Sequence, residues 1–445
     1  MSRQLPVLGP LRPDDPGPPG SPSAIPRGPS RNADRRVTAG GIAVACAFFT
    51  LAGLATLLPA DVRHGTWLPL HLALAGGAGT AIAAVMPFFT AALAAAPPAG
   101  PRLRIAAISL VASGAVLVTG GYASGHGLVA GAGACAYLLG LLAVAAATWL
   151  PLRRGLGPRG GVVAVAYGVA ILDVLAGVTL AAAFVTGDPS VVDDWGALKP
   201  AHAWLNLLGF VALVIAGTLL HLLPTVLGTR IRRRRSAPIA VGGLALGAPM
   251  VAVGFAANRA VVAQAGAVAA IVGALALVAY AIGCAVDRGH WTTDAGWHRF
   301  TSGSLLAGVA WFAVAMLLAG GRVIVLGVAP DAWLLAPVVA PLAVGWVAQT
   351  VIGSATHLLP AVGPGDPVVH AAQRRLLGTA AVTRLLTLQT GTALLAVAAT
   401  GVLPITAASG LAFVLLAGAV DLGLIAMAAT RRPTSRLASQ RGDGE

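Results

Sequence analysis

The sequence predicts an all-α protein, a polytopic transmembrane helical bundle of about 12 spans built as three pseudo-repeats of four helices. Three observations predict it. Of 445 residues, 57% are hydrophobic and 10% charged, against about 25% charged in a soluble domain, so a water-facing surface of ordinary polarity is excluded. The apolar runs are continuous and about 20 residues long, the length of a spanning helix, where a membrane barrel would alternate. The basic residues gather in every second connection, the bias that orients helical membrane proteins. The net charge of +14 belongs to that bias, and nucleic acid is not expected as a partner; the lipid bilayer is.

Taken in order, residues 1–36 hold nine of the thirty prolines with Gly, Ser, Asp and Arg. They lack the apolar surface to fold and read as a disordered tail. This stretch is too long and too proline-rich for the n-region of a signal peptide, so the first apolar run is kept as a helix. The transmembrane domain is placed at 37–430 and a second disordered tail at 431–445. Apolar runs fall near 38–59, 68–95, 104–121, 127–150, 161–186, 200–228, 239–257, 260–285, 300–320, 333–360, 385–402 and 404–430. With both termini in the cytoplasm, the outer connections carry only Arg63, Lys199, Arg259 and Arg322, leaving 29 − 4 = 25 Lys and Arg inside. A wrong count in mid-chain would scramble that bias. The cell membrane is the expected location.

The strongest anchor is the loop with Arg230, Arg232, Arg233, Arg234 and Arg235, read as a stop signal touching lipid headgroups. Segment 368–384 mixes basic and apolar residues and reads as an amphipathic helix on the inner surface. Cys46, Cys135 and Cys284 each sit inside an apolar run and are read as small buried residues. The 57 glycines are read as helix-packing positions. No phosphate loop, HExxH or nucleophile elbow stands out.

The sixth run ends GFVALVIAGTLLHLLPTVLG (209–228) and the tenth GWVAQTVIGSATHLLPAVGPG (345–365). Aligned without a gap, Gly209, Gly217, His221 and Pro224 match Gly345, Gly353, His357 and Pro360. The second run (71–90) reads as a worn third copy ending at Pro87. Runs two, six and ten are four apart, which gives three units of four.

On these residues the chain resembles heme-copper oxidase subunit I and the related NnrS-type membrane proteins, built from three arcs of four helices with metal-binding histidines on helices two, six and ten. Segment 201–230 is also similar to segments of actinobacterial proteins related to that superfamily. Those open His-x-His-Leu-Asn, whereas this chain has His202-Ala203-Trp204-Leu205-Asn206. The resemblance implies heme or copper. It departs from the oxygen reductases, which need two adjacent histidines on helix seven and a His-x-His pair on helix ten. Residues 239–257 have no histidine and helix ten has only His357, so an oxygen-reducing centre is not expected.

His71 and His202 lie near the outer ends of their helices, where they either contact headgroups or hold a heme iron or copper ion between them. Asn206 lies one turn below His202 and would support the cofactor or its ligand. His221 and His357 each precede a proline by three residues. Each either bonds a carbonyl that the proline frees or belongs to a second metal or proton site. His64, His290, His298 and His370 read as loop residues facing solvent or headgroups, and His126 stays open. The intramembrane acids Asp173 and Asp421 mark a relay, an ion path or a charged partner. Gln264 and Gln349 read as packing. The leading expectation is a degenerate heme- or copper-binding member of the superfamily, serving electron transfer, nitric-oxide or copper handling, or sensing, with a redox partner protein. A proton-coupled twelve-helix transporter is the alternative, and a membrane anchor for a partner enzyme the third.

Overall fold

The computed structural model describes residues 29–155, 161–232, 234–334, 336–362 and 366–431, with side chains from Asp34 onward. Most of the two expected tails, 1–28 and 432–445, lies outside the described residues. Among those described, twelve helices are long and apolar enough to cross a membrane: Asp34–Ala55, Trp67–Ala94, Pro101–Ala123, Gly127–Arg154, Gly161–Thr186, Trp195–Leu227, Ser236–Ala256, Ala260–Arg288, Gly296–Leu326, Pro330–Val362, Ala381–Ala399 and Thr406–Ala429. The chain is a multi-pass helical membrane protein.

Several boundaries differ from the sequence expectation, and polar contacts explain them. The helix of the first span begins at Pro29, inside the stretch read as a tail. Arg104, fully buried at the start of the third span, donates to Thr38 at 2.5 Å and to the Asp34 carboxylate at 3.3 Å. That contact fixes the first span well before its apolar run. The basic segment 368–384 divides in two. Pro367–Leu377 forms a separate amphipathic helix, capped by Asp366, whose carboxylate accepts from the Val368 and Val369 N–H groups. From Ala381 the chain already belongs to the eleventh span, because Arg384 has a partner inside the bundle.

Small residues set the close helix pairs, as lipid-embedded packing requires. The seventh and eighth spans touch through Gly243, Gly247 and Gly254; a Cβ on Gly247 would stand 2.7 Å from the Ala270 nitrogen. The sixth span occupies the centre. In its most apolar window 83% of residues are buried, against 28% in the fifth, eleventh and twelfth, whose outward faces are left to lipid.

The second, sixth and tenth spans share one backbone feature. Each turns from α- into π-helix partway along, at Leu72–Ala78, Trp204–Ala212 and Ala340–Ala348. The π segment of the second span packs against both of the others. A π turn loosens the hydrogen-bond ladder and tends to occur at functional sites.

Proline also leaves its mark on the sixth span. Pro224 has no N–H, so the Leu220 carbonyl four residues earlier loses its helical partner. The buried Tyr280 hydroxyl of the eighth span donates to it at 2.5 Å. The sequence offered His221 for this kind of role, but the imidazole Nδ1 is buried with no hydrogen-bond partner among the described residues. The His221 carbonyl accepts from Thr225 at 2.7 Å.

Candidate functional site

The site is built where the second, fifth and sixth spans meet. His71 stands in the first turns of the second span, half-buried, with its Nδ1 2.8 Å from the Trp67 carbonyl one turn earlier. The Trp67 indole stacks on the imidazole at 4.3 Å between ring centres and 27° between planes. The His71 ring is thus held by both the backbone and the side chain of a single residue.

His202 is held across a helix interface. Its Nδ1 lies 2.8 Å from the Gly177 carbonyl of the fifth span. A carbonyl can only accept, so the proton of a neutral His202 sits on Nδ1, and the same reasoning puts the His71 proton on its Nδ1. The Asn206 amide nitrogen also comes within 3.1 Å of His202 Nδ1, but with both atoms carrying protons this is contact and not a bond. Asn206 uses its donor on the His202 carbonyl at 2.8 Å. Glycine at 177 leaves room for the Asn206 amide, which a Cβ there would displace.

With both Nδ1 atoms occupied, both Nε2 atoms keep a free lone pair. The two rings lie 6.5 Å apart between centres with planes 11° from parallel. A metal taking one imidazole from each side needs ring centres about 6 to 6.5 Å apart, from two N–metal bonds of about 2.0–2.1 Å and roughly 1.1 Å from each nitrogen to its ring centre. A second hydrogen bond on the far ring nitrogen is how proteins orient histidine ligands and set their tautomer. The residue chemistry, two neutral imidazoles with Nδ1 occupied and ring centres at that spacing, is of the kind iron and copper both accept. Among the described residues no three His, Cys, Asp or Glu side chains gather at one point, so two nitrogen ligands are what the protein offers here.

More aromatic side chains surround the pair. Trp195 stacks on Phe184 at 4.1 Å and lies 6.0 Å from the His202 ring. Tyr122 packs on Trp67 at 4.4 Å. Lys199, one turn before His202, places its ammonium 5.2 Å from the Trp333 ring centre.

One buried acid lies deeper along the fifth span. Asp173, one turn from Gly177 along the fifth span, is buried and packs its carboxyl group against Gly209 of the sixth-span π segment. Its Oδ2 has no hydrogen-bond partner among the described residues.

The other predicted residues lie elsewhere. Asp421 is fully buried, and the Arg384 Nε of the eleventh span meets its carboxylate at 2.5 Å. Arg384 also donates to the Leu377 and Thr379 carbonyls and covers the Phe300 ring at 4.0 Å. Asp421 thus has a charged partner in Arg384. His357 lies 6.1 Å from the Trp297 ring, with its Nδ1 unpartnered among the described residues. His298 is not a solvated loop residue. It lies within the ninth span, with Nδ1 2.7 Å from Asp294 and Nε2 on the Val226 carbonyl. His126 is exposed beside Ser124.

Sequence reasoning missed Trp67, Gly177 and Gly209. Trp67 leaves a trace as an aromatic residue four before a helix-end histidine. Gly209 is marked in the sequence by its match to Gly345 in the repeat, though not as a neighbour of Asp173, and Gly177 leaves no trace.

No family model matches the chain, and no curated protein matches it. Solved structures do. A heme-copper terminal oxidase, determined as a dimer by cryo-electron microscopy, superimposes with a TM-score of 0.66 at 11% identity, covering 90% of this chain and 85% of that one. At that identity the likeness is one of fold. The chain has the heme-copper oxidase type of helical architecture.

Proposed function

We propose that this protein is a membrane metalloprotein in which His71 and His202 hold a heme iron or a copper ion, serving electron transfer, nitric-oxide or copper handling, or sensing. One observation carries the reading. Two imidazoles from different spans lie nearly parallel with ring centres 6.5 Å apart, and each has its Nδ1 tied to a backbone carbonyl. A lone interfacial histidine would have no reason to pair in this way. The fold shared with a heme-copper terminal oxidase supports the reading. So do the π segments in the second, sixth and tenth spans, which we read as corresponding parts of three related units.

A bound iron or copper would supply one-electron chemistry. The protein's part is to orient. Trp67 and Gly177 fix the two rings, Asn206 holds the backbone behind His202, and Trp67 and Trp195 restrict water at the outer end. The expected setting is the cell membrane with both termini cytoplasmic, which puts the pair near the outer surface, within reach of a redox partner protein.

The deciding experiment is an optical spectrum of the detergent-purified protein, oxidised and then dithionite-reduced, with metal analysis of the same sample. A sharp reduced heme band, or copper near one equivalent, that disappears in both His71→Ala and His202→Ala but persists in His290→Ala establishes the reading. Equal loss in all three, or neither signal after expression with added heme and copper, overturns it.

A second reading rests on Asp173. An acid without a counter-charge among the described residues, packed on a π segment inside a span, suits a proton-coupled transporter, and the liposome assay for that activity would begin with Asp173→Asn.

A further inference from the structure

An apolar groove of about 560 Å³ opens between the eighth and ninth spans at their arginine-rich ends, lined by residues such as Val278, Ile282, Val286, Trp291, Leu306 and Ala310. Ile282 and Val286 are strongly exposed, at 57% and 72%, as lipid-facing residues are. From Val278 to Arg288 the helix rises about 15 Å, half of a hydrocarbon core about 30 Å thick. The groove is therefore as long as one leaflet's acyl layer. Trp291 stands at its mouth, the level at which tryptophan marks the membrane–water boundary.

The charge at that mouth is one-sided. Arg288 lies on the same helical stripe as the lining residues Ala281 and Ala285, and Arg299 on the same stripe as Leu306 and Ala310, so on each span an arginine follows the lining toward the headgroup level. Arg288 is bonded to Asp294 at 2.6 Å. The buried Nε of Arg299 has no partner among the described residues, and its only hydrogen bond is a long one of 3.5 Å from a terminal nitrogen to the Thr292 carbonyl. Across residues 229–235 and 286–299 the sequence has seven arginines and two aspartates, 7 − 2 = +5.

We propose that this groove is a binding site for an anionic phospholipid of the adjoining leaflet, with one acyl chain between the two spans and the headgroup phosphate on Arg299. The apolar length selects a lipid chain, and a guanidinium with no acidic partner among the described residues selects a negative headgroup. The site is separate from the histidine pair and does not depend on it.

The test uses the full-length protein in nanodiscs. Phosphatidylglycerol or phosphatidylcholine with brominated acyl chains is titrated in, and Trp291 quenching is read as the difference between the parent protein and Trp291→Phe. The anionic lipid should quench at about one-fifth the mole fraction of the zwitterionic one, the size expected of one arginine at a membrane surface. Arg299→Gln should abolish that preference and Arg299→Lys should keep most of it. Ala310→Phe, which fills the groove and leaves both arginines, should reduce quenching by both lipids. Equal quenching of the parent protein by the two lipids, or a preference that survives Arg299→Gln, overturns the site in favour of unselective boundary lipid.

Discussion

His71 and His202, on the second and sixth spans, present parallel imidazoles 6.5 Å apart, each anchored through Nδ1 to a carbonyl: Trp67 in its own helix for the first, Gly177 in a neighbouring helix for the second. The two anchors have different vulnerabilities. Gly177→Ala places a methyl group where the Asn206 side chain now lies, which pushes the fifth span away from His202 and lengthens its anchor. The expected outcome is a 10- to 100-fold loss of metal affinity, the usual cost of disturbing the group behind a histidine ligand. The amount of folded protein should change little. Metal titration alongside size-exclusion chromatography checks both.

Trp67→Leu tests the other anchor. The Trp67 carbonyl stays, so His71 keeps its tautomer, but the stacked indole at 4.3 Å is lost. Metal should still bind. Its optical bands or reduction potential should shift, because ring orientation is less confined and water reaches the site. Wild-type spectra and potential in Trp67→Leu would show that the stack is only an interfacial aromatic contact.

Much of the architecture was legible because lipid imposes it. Continuous apolar runs and alternating arginine clusters leave few ways to thread the chain, and the twelve spans follow from them. His71 and His202 could be placed at one depth because both stand near the start of helices that run the same way. Their partners were hidden. Trp67 and Gly177 become anchors only through local and inter-helix geometry, and no composition signal marks a π turn. Arg104, at the edge of the third apolar run, and Arg384, at the end of the amphipathic segment, were counted among the inside charges because charge counting assigns arginine to water. Each instead enters the bundle to meet an aspartate.

The Arg384–Asp421 pair gives a stability prediction. Exposure of the two side chains is 4% and 0%. Removing one member leaves the other charge buried and alone, which costs about 3–5 kcal/mol, whereas replacing both with apolar or neutral groups of similar size is often close to neutral. Arg384→Met and Asp421→Asn should each lower the thermal midpoint in detergent sharply, and the double variant should recover most of the loss. Additive losses in the double variant would mean that the two side chains act independently.

Tyr280 and Pro224 should be coupled in the same sense. Tyr280→Phe leaves the Leu220 carbonyl buried without its donor, at a cost of about 1–3 kcal/mol. In a Pro224→Ala background residue 224 regains an N–H, the carbonyl regains its helical partner, and the tyrosine hydroxyl is no longer needed. The penalty of Tyr280→Phe should then shrink to a fraction of its value in the parent, as measured by thermal unfolding of the four proteins.

Asp173 and Gly209 separate the structural from the functional meaning of the buried acid. A carboxyl group enclosed against a glycine with one oxygen unsatisfied burdens the fold, since it must stay neutral or hold an uncompensated charge in low dielectric. Asp173→Asn removes that burden at constant shape, so the thermal midpoint should stay the same or rise. Gly209→Ala does the reverse. It forces a methyl group into the space of the carboxyl and should cost about 1–3 kcal/mol, the usual range for overpacking. Because Asp173 lies one helical turn beyond Gly177, the metal content of the histidine pair should be unchanged in Asp173→Asn. If instead the asparagine variant loses the metal, the carboxylate belongs to the site. If it keeps the metal and liposome assays show that it loses a proton-coupled flux present in the parent, Asp173 is retained for transport, and the histidine pair and the acid serve two different tasks in one bundle.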